Sequence, residues 1–229
     1  MLYTKSKLRM KLRMLFFLLL SLLRLQGFSQ LNINTDSLIN KMCETLKANN
    51  TLSDSQRVVE TFKKHLFPYL LSLEKSEQNN VAFNIDMRFQ RLCKEYGELI
   101  TRNTPQEDGW KRVDGKPTVI LRKSLCTAFL DRKKYYYFTT LDDTVRVTIE
   151  NGLWTENFKD GSYSNLKFKW INSCEFQIEF IQSNNSVRKE FSRVGDKYNY
   201  QILNKADSYY DMSVEIVGTK QYMTFKLYY

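Results

Sequence analysis

Proline and glycine are scarce in this chain, at 3 and 8 of 229 residues. That excludes a collagenous, Pro-rich or low-complexity disordered polypeptide, all of which need far more of both. Histidine is nearly absent. The single His65 lies beside Lys63, Lys64 and Leu66, with no nucleophile or carboxylate spaced to join it. Neither a catalytic triad nor a His-rich metal site can be built, and His65 reads as a surface residue. The 4 cysteines include no C-x₂₋₄-C pair, which removes a zinc ribbon. Aspartates and glutamates are scattered, with no pair placed for general acid–base work. The sequence therefore points to no enzyme, no cofactor and no metal.

What is present begins with a leader. Lys5, Lys7, Arg9, Lys11 and Arg13 precede the apolar run from Leu15 to Leu23, and Gly27 and Ser29 put small residues at −3 and −1. This pattern predicts a secretory signal peptide over residues 1–29, cut before Gln30, with Met10 or Met14 as alternatives to Met1 as the start. Arg24 ends the apolar run well short of the ~20 residues a membrane-spanning helix needs. The leader holds six basic residues and no acidic ones; beyond it 29 basic face 25 acidic residues, a net of +4. No basic stripe remains for a nucleic-acid backbone.

Cys43, Cys93, Cys126 and Cys174 all lie in the exported part. An even count there reads as disulfides; four cysteines allow three connectivities, and one bridge per domain is favoured. Leu38, Ile39, Met42, Cys43 and Leu46 recur at helical spacing. Ser53 to Gln56 forms a capping box ahead of Val58, Val59, Phe62, Leu66, Leu70 and Leu71, in a stretch that Pro68 should kink. Ile85, Phe89, Leu92, Cys93, Tyr96, Leu99 and Ile100 make a third apolar stripe. A three-helix bundle over residues 30–101 is predicted, with Cys43 and Cys93 on facing stripes. Residues 102–118, with Pro105, Asp108-Gly109, Asp114-Gly115 and Pro117, read as a linker that Trp110 packs onto a neighbour.

From Val119 to Tyr229 the apolar period becomes two. Val119 to Leu121 suggests a first strand, and Ser124 to Asp131 a strand or a helical turn over the sheet end. About eight strands in consecutive hairpins give an antiparallel meander: a lipocalin-like barrel, a curled sheet or a sandwich. The chain is thus of α+β class. Asn151-Gly152 predicts a type I′ hairpin pairing Ile149 with Trp154. A three-residue loop Ile171 to Ser173 would pair Trp170 with Cys174 and Phe168 with Phe176, setting Lys169 against Glu175. Other expected pairs are Tyr136 with Ile149, Phe138 with Val147, Trp154 with Phe168, and Met212 with Leu227.

Cys126, Phe129-Leu130, Lys134-Tyr135-Tyr136 and Trp170-Ile171-Asn172-Ser173-Cys174-Glu175-Phe176 together resemble small exported bacterial proteins of unknown function. In those, a C-x-x-F start is followed by a W-x-x-x-C-E-aromatic hairpin in a compact all-β domain. The resemblance covers the chain from Cys126 onward. It implies export, that architecture and a Cys126–Cys174 bridge, and it brings no activity. Asp131-Arg132-Lys133 stands where the family commonly has glycine.

Two candidate sites emerge. Glu156 is the one charged residue the alternation turns inward, so Trp154, Glu156 and Phe158 mark a candidate ligand cavity. Tyr137 and Tyr209, read as outward-facing, mark a candidate protein- or glycan-binding patch. The function these features suggest is a secreted, non-enzymatic binding or interaction protein for a protein, a glycan or a small apolar ligand. The alternatives are a periplasmic hydrolase-like enzyme and an inhibitor- or immunity-type protein. N-terminal sequencing of the exported protein should begin at Gln30; an intact leader on that material would contradict this reading.

Overall fold

The computed structural model describes residues 35–103, 109–119, 121, 126–139 and 143–229. The expected leader and Pro105 lie outside the described residues. Among them no helix is long and apolar enough to cross a membrane.

Five α-helices take the place of the expected three. Helix α1 spans residues 35–48. Helix α2 (Asp54–Thr61) opens with the predicted capping box: the Ser53 amide donates to Gln56 Oε1 at 3.2 Å. It runs into a π-helical turn, Phe62–Leu66, and then α3 (Phe67–Leu71). Pro68 is the cause. It has no N–H for the carbonyl four residues back, so the chain widens just before it and Phe67 N–H reaches the Phe62 carbonyl, five back. Pro68 then sits in the first turn of α3, where a missing donor costs little. The third stripe is also divided, into α4 (Lys75–Leu92) and α5 (Lys94–Asn103). Between them Cys93 is extended (φ −107°, ψ 105°) and bonded to Cys43 across a Cα–Cα distance of 5.6 Å. Ile39, Met42, Leu46, Ile85 and Phe89 fill the space between the helices, with Phe89 stacked on Tyr96 at 4.1 Å.

The second half is a closed antiparallel β-barrel of eight strands: β2 (Lys134–Phe138), β3 (Thr144–Glu150), β4 (Leu153–Asn157), β5 (Tyr163–Trp170), β6 (Glu175–Ser183), β7 (Lys197–Lys205), β8 (Tyr209–Ile216) and β9 (Gln221–Tyr228). Each pairs with the next, and β9 returns to β2 through Tyr136 and Tyr228. A short β1 (Lys111–Val113), inside the segment read as a linker, pairs with the remaining edge of β9 at Tyr222–Thr224. Val119 and Leu121 belong to no strand. The ambiguous segment is helical: residues 126–127 lead into a 3₁₀ turn, Ala128–Asp131. Its Phe129 plugs one end of the barrel, with Tyr135, Phe176 and Tyr210 around its ring and the Cys126–Cys174 disulfide beside it.

The hairpin registers show what alternation specifies. Asn151-Gly152, both at positive φ, set Ile149 against Trp154 as expected. The opening of β5 into β6 slips by two residues: Trp170 faces Phe176 and Phe168 faces Ile178 across a longer loop. Lys169 therefore faces Gln177, and Glu175 pairs with Lys116 at 2.6 Å instead. Trp154 faces Leu166 and Met212 faces Phe225, again slips of two. An even slip keeps every side chain on its face. Between β2 and β3 the slip is odd: Tyr135 faces Val147 and Tyr137 faces Val145, so Tyr137 turns inward.

A polar seam joins helices and barrel. Gln221 on β9 donates to the Arg91 carbonyl of α4 at 2.7 Å and accepts from Arg112 of β1. Gly97 of α5 permits that approach, because a Cβ there would lie 2.7 Å from the Arg112 guanidinium. Arg88 of α4 binds Asp36 of α1 and Asp196 of the β6–β7 connection, and Arg91 meets Asp196 at 2.9 Å.

Closing the 50-residue Cys43–Cys93 loop contributes about 4 kcal/mol in the chain-entropy model. The double variant Cys43→Ser, Cys93→Ser should lose about that much in denaturant unfolding of the oxidised protein. A loss below about 1 kcal/mol would show that the helices hold their arrangement without the bridge.

Candidate functional site

The barrel end opposite the Phe129 plug holds a cavity of about 460 Å³. Inward residues of successive strands wall it: Val145 of β3, Leu166 of β5, Ile178 and Phe180 of β6, Val214 of β8 and Met223 of β9. Trp110 closes one side, stacked on Phe225 at 4.1 Å with its Nε1 donating to the Phe138 carbonyl. Over the mouth lies a single helical turn, α6 (Arg188–Phe191), whose Arg188 and Phe191 face the cavity along with Val187 before it. Asn185 fixes this turn, since its Oδ1 accepts from the amides of Val187 and Arg188 at 3.2 and 3.1 Å.

One corner of this apolar space is polar. Glu156 of β4 is 6 % exposed. Its Oε1 accepts the Tyr137 hydroxyl at 2.8 Å and the Trp154 indole N–H at 3.5 Å, while Oε2 lies 3.6 Å from Arg188 Nε. Arg188 also donates to the Tyr137 hydroxyl at 2.7 Å, so guanidinium and phenol donate in series to the carboxylate. The guanidinium stands 5.6 Å over the Phe158 ring. Burial pushes the Tyr137 phenol well above its ordinary value; Arg188 opposes this, while Glu156 and Tyr200 add to it. Burial and Glu156 likewise hold Tyr200 up, and Arg188 again pulls the other way. For Arg188, burial alone would lower the guanidinium, but Tyr137 and Glu156 outweigh it and raise it. The corner therefore presents protonated phenols and a charged arginine: fixed hydrogen-bond donors rather than nucleophiles.

Of the expected cavity residues, Glu156 and Phe158 line this space. Trp154 does not; fully buried, it lies beneath them at 5.5 Å from Tyr200 and 5.7 Å from Phe176. The surface patch needs correction. Tyr137 is 2 % exposed and belongs to the site, because the odd slip between β2 and β3 exchanges its face with that of its neighbours. The outward rings at the barrel seam are Tyr136 and Phe138, with Tyr209 and Tyr228 half-buried beside them. Tyr136 stacks on Tyr228 at 5.2 Å, Tyr209 lies 5.5 Å from Tyr228, and Lys226 sits 4.8 Å over Tyr209. The ring contacts join paired residues of β2, β8 and β9, and Lys226 reaches Tyr209 on the diagonal.

Sequence reasoning missed Arg188 and Tyr200. A buried carboxylate requires a cation or several donors, and the charged stretch from Arg188 to Arg193 was the available source at that barrel end. His65 lies far from this chemistry, 2.7 Å from the Thr45 hydroxyl; burial, then Lys64 and Lys41, lower its pKa. Cys43, Cys93 and Glu95 cluster within 4.8 Å, but the two sulfurs are bonded to each other and offer no thiolate to a metal. No family model, curated protein or solved structure matches the chain.

The raised phenols give a pH dependence. A folded-state pKa above the unfolded value means the stabilisation is complete below the ordinary phenol value of 10.0 and is lost as pH rises past it. The part of the unfolding free energy that Tyr137→Phe and Tyr200→Phe remove should therefore hold steady up to about pH 10 and fall above it. Phenolate absorbance of the two inner tyrosines should appear only with unfolding. Early ionisation of Tyr137, judged by the absorbance that Tyr137→Phe removes, would contradict the buried relay.

Proposed function

We propose that this is an exported, non-enzymatic carrier that holds a small, mainly apolar ligand inside the barrel. The observation that carries the reading is the 460 Å³ cavity with apolar walls and one polar corner. Ligand sites typically span roughly 300–1,000 Å³ with a few placed polar groups. Two disulfides and no free cysteine among the described residues fit an oxidising compartment, which supports the signal-peptide reading of residues 1–29. Binding is favoured over a hydrolase because Glu156, Tyr137 and Arg188 are committed to one another. The resemblance from Cys126 onward agrees with export and adds no activity.

The oxidised protein should bind the neutral fluorescent dye phenylnaphthylamine at one saturable site. Met223→Trp, which places an indole in the cavity from a partly exposed position, should weaken the dye at least about tenfold with the circular dichroism unchanged; that is the ~1.4 kcal/mol expected from loss of well-packed apolar contact. Absence of saturable binding, or undiminished binding by the variant, would contradict the cavity as the site.

A further inference from the structure

The lining of the cavity carries information about what it holds, and two features narrow the choice. The first is the Tyr200 hydroxyl. Tyr200 is 7 % exposed and lines the cavity, and its ring is fixed by stacking on Phe176 at 5.2 Å and by the edge of Phe225 at 5.9 Å. Among the described residues its hydroxyl has no hydrogen-bond partner, whereas the neighbouring Tyr137 hydroxyl has two. Unlike the Tyr210 hydroxyl, that of Tyr200 is not sealed into the protein; it keeps accessible surface on a residue that lines the cavity, where it is available to donate to a ligand.

The second feature is the charge balance. The charged residues lining the space are Asp143, Glu156 and Asp160 against Lys159 and Arg188. Glu156 and Arg188 already face each other at 3.6 Å at the polar corner, with Arg188 keeping 31 % of its side-chain surface. An anionic head group would find Arg188 already facing Glu156, Lys159 already facing Asp143, and Asp160 as a further carboxylate in the lining. A cationic head group would find Glu156 already bonded to Tyr137 and facing Arg188. Either ion would give up its hydration for an unfavourable or occupied site. A neutral molecule meets no such penalty. The walls add a shape preference, since Trp110, Phe158, Phe180 and Phe191 present rings around the space.

We infer that the ligand is an uncharged, ring-containing apolar molecule with a hydrogen-bond-accepting oxygen, such as a ketone or ester carbonyl, seated on the Tyr200 hydroxyl and chosen over acids and amines of the same shape. This rests on the carrier reading. It identifies Tyr200 as the residue that selects the head group, with Glu156 and Arg188 acting as a matched pair that turns ions away.

Three probes of one shape test it: methyl naphthyl ketone, naphthoic acid and naphthylmethylamine, titrated calorimetrically into the oxidised protein at neutral pH. The ketone should bind at least about tenfold more tightly than the other two. Tyr200→Phe, which removes a hydroxyl with no partner among the described residues, should cut ketone affinity about three- to tenfold, the range of one net hydrogen bond, with the circular dichroism unchanged. Tighter binding of the acid or the amine, or no effect of Tyr200→Phe on the ketone, would overturn this inference and leave the carrier reading intact. Failure of all three probes and of the dye would overturn both.

Discussion

A carboxylate enclosed by protein must be met by donors and a counter-charge, and the way Glu156 obtains them shapes this end of the molecule. A lone buried charge costs several kcal/mol. Tyr137 and Trp154 supply donors from the barrel wall and floor, but the cation comes from outside the sheet, on α6. That demand draws the β6–β7 connection across the mouth. It also ties the polar corner to this turn, because Arg188 both meets Glu156 and lines the cavity.

The α6 turn is itself held from behind. Arg88 of α4 donates to the Phe191 carbonyl and to Asp196, and the Arg91 guanidinium lies over Tyr198 at 4.5 Å and over Phe191 at 5.8 Å. Asp36 of α1 meets both Arg88 and Arg193, at 3.3 and 2.7 Å. The helical part therefore backs the element that closes the cavity, and the disulfide between Cys43 and Cys93 keeps α1 and the α4–α5 junction in fixed relation. Gly97, Arg112 and Gln221 make a second attachment, which reaches the Arg91 carbonyl. The helices thus hold the covering turn in place as well as burying their own core.

Much of the barrel was legible in the sequence because period-two alternation records which face a residue occupies. Glu156 was read as inward and is inward. Alternation does not record register, and three hairpins slipped by two residues without a single side chain changing face. Tyr135 to Phe138 is the exception: four consecutive aromatics carry no alternation, so nothing in them resists an odd slip, and Tyr137 was assigned to the wrong side. The helical half followed a related logic. The apolar stripes were visible, but the breaks at the π-helical turn and at Cys93 are set by single residues acting on backbone hydrogen bonds and a disulfide, below the resolution of a periodicity. Arg188 was hidden for another reason: its role exists only through a contact 32 positions away from Glu156 in the chain, and no local pattern announces it.

A crystal structure of the oxidised protein soaked with methyl naphthyl ketone is the most direct test of the proposal that the barrel interior is a ligand site with a preformed polar corner. Density for the ring system should lie among Val145, Leu166, Ile178 and Val214, with the carbonyl oxygen in hydrogen-bond reach of Tyr200 and the Tyr137–Glu156–Arg188 contacts unchanged. Density only on the outer aromatic seam around Tyr136 and Tyr228, or an interior filled by repacked side chains, would contradict it.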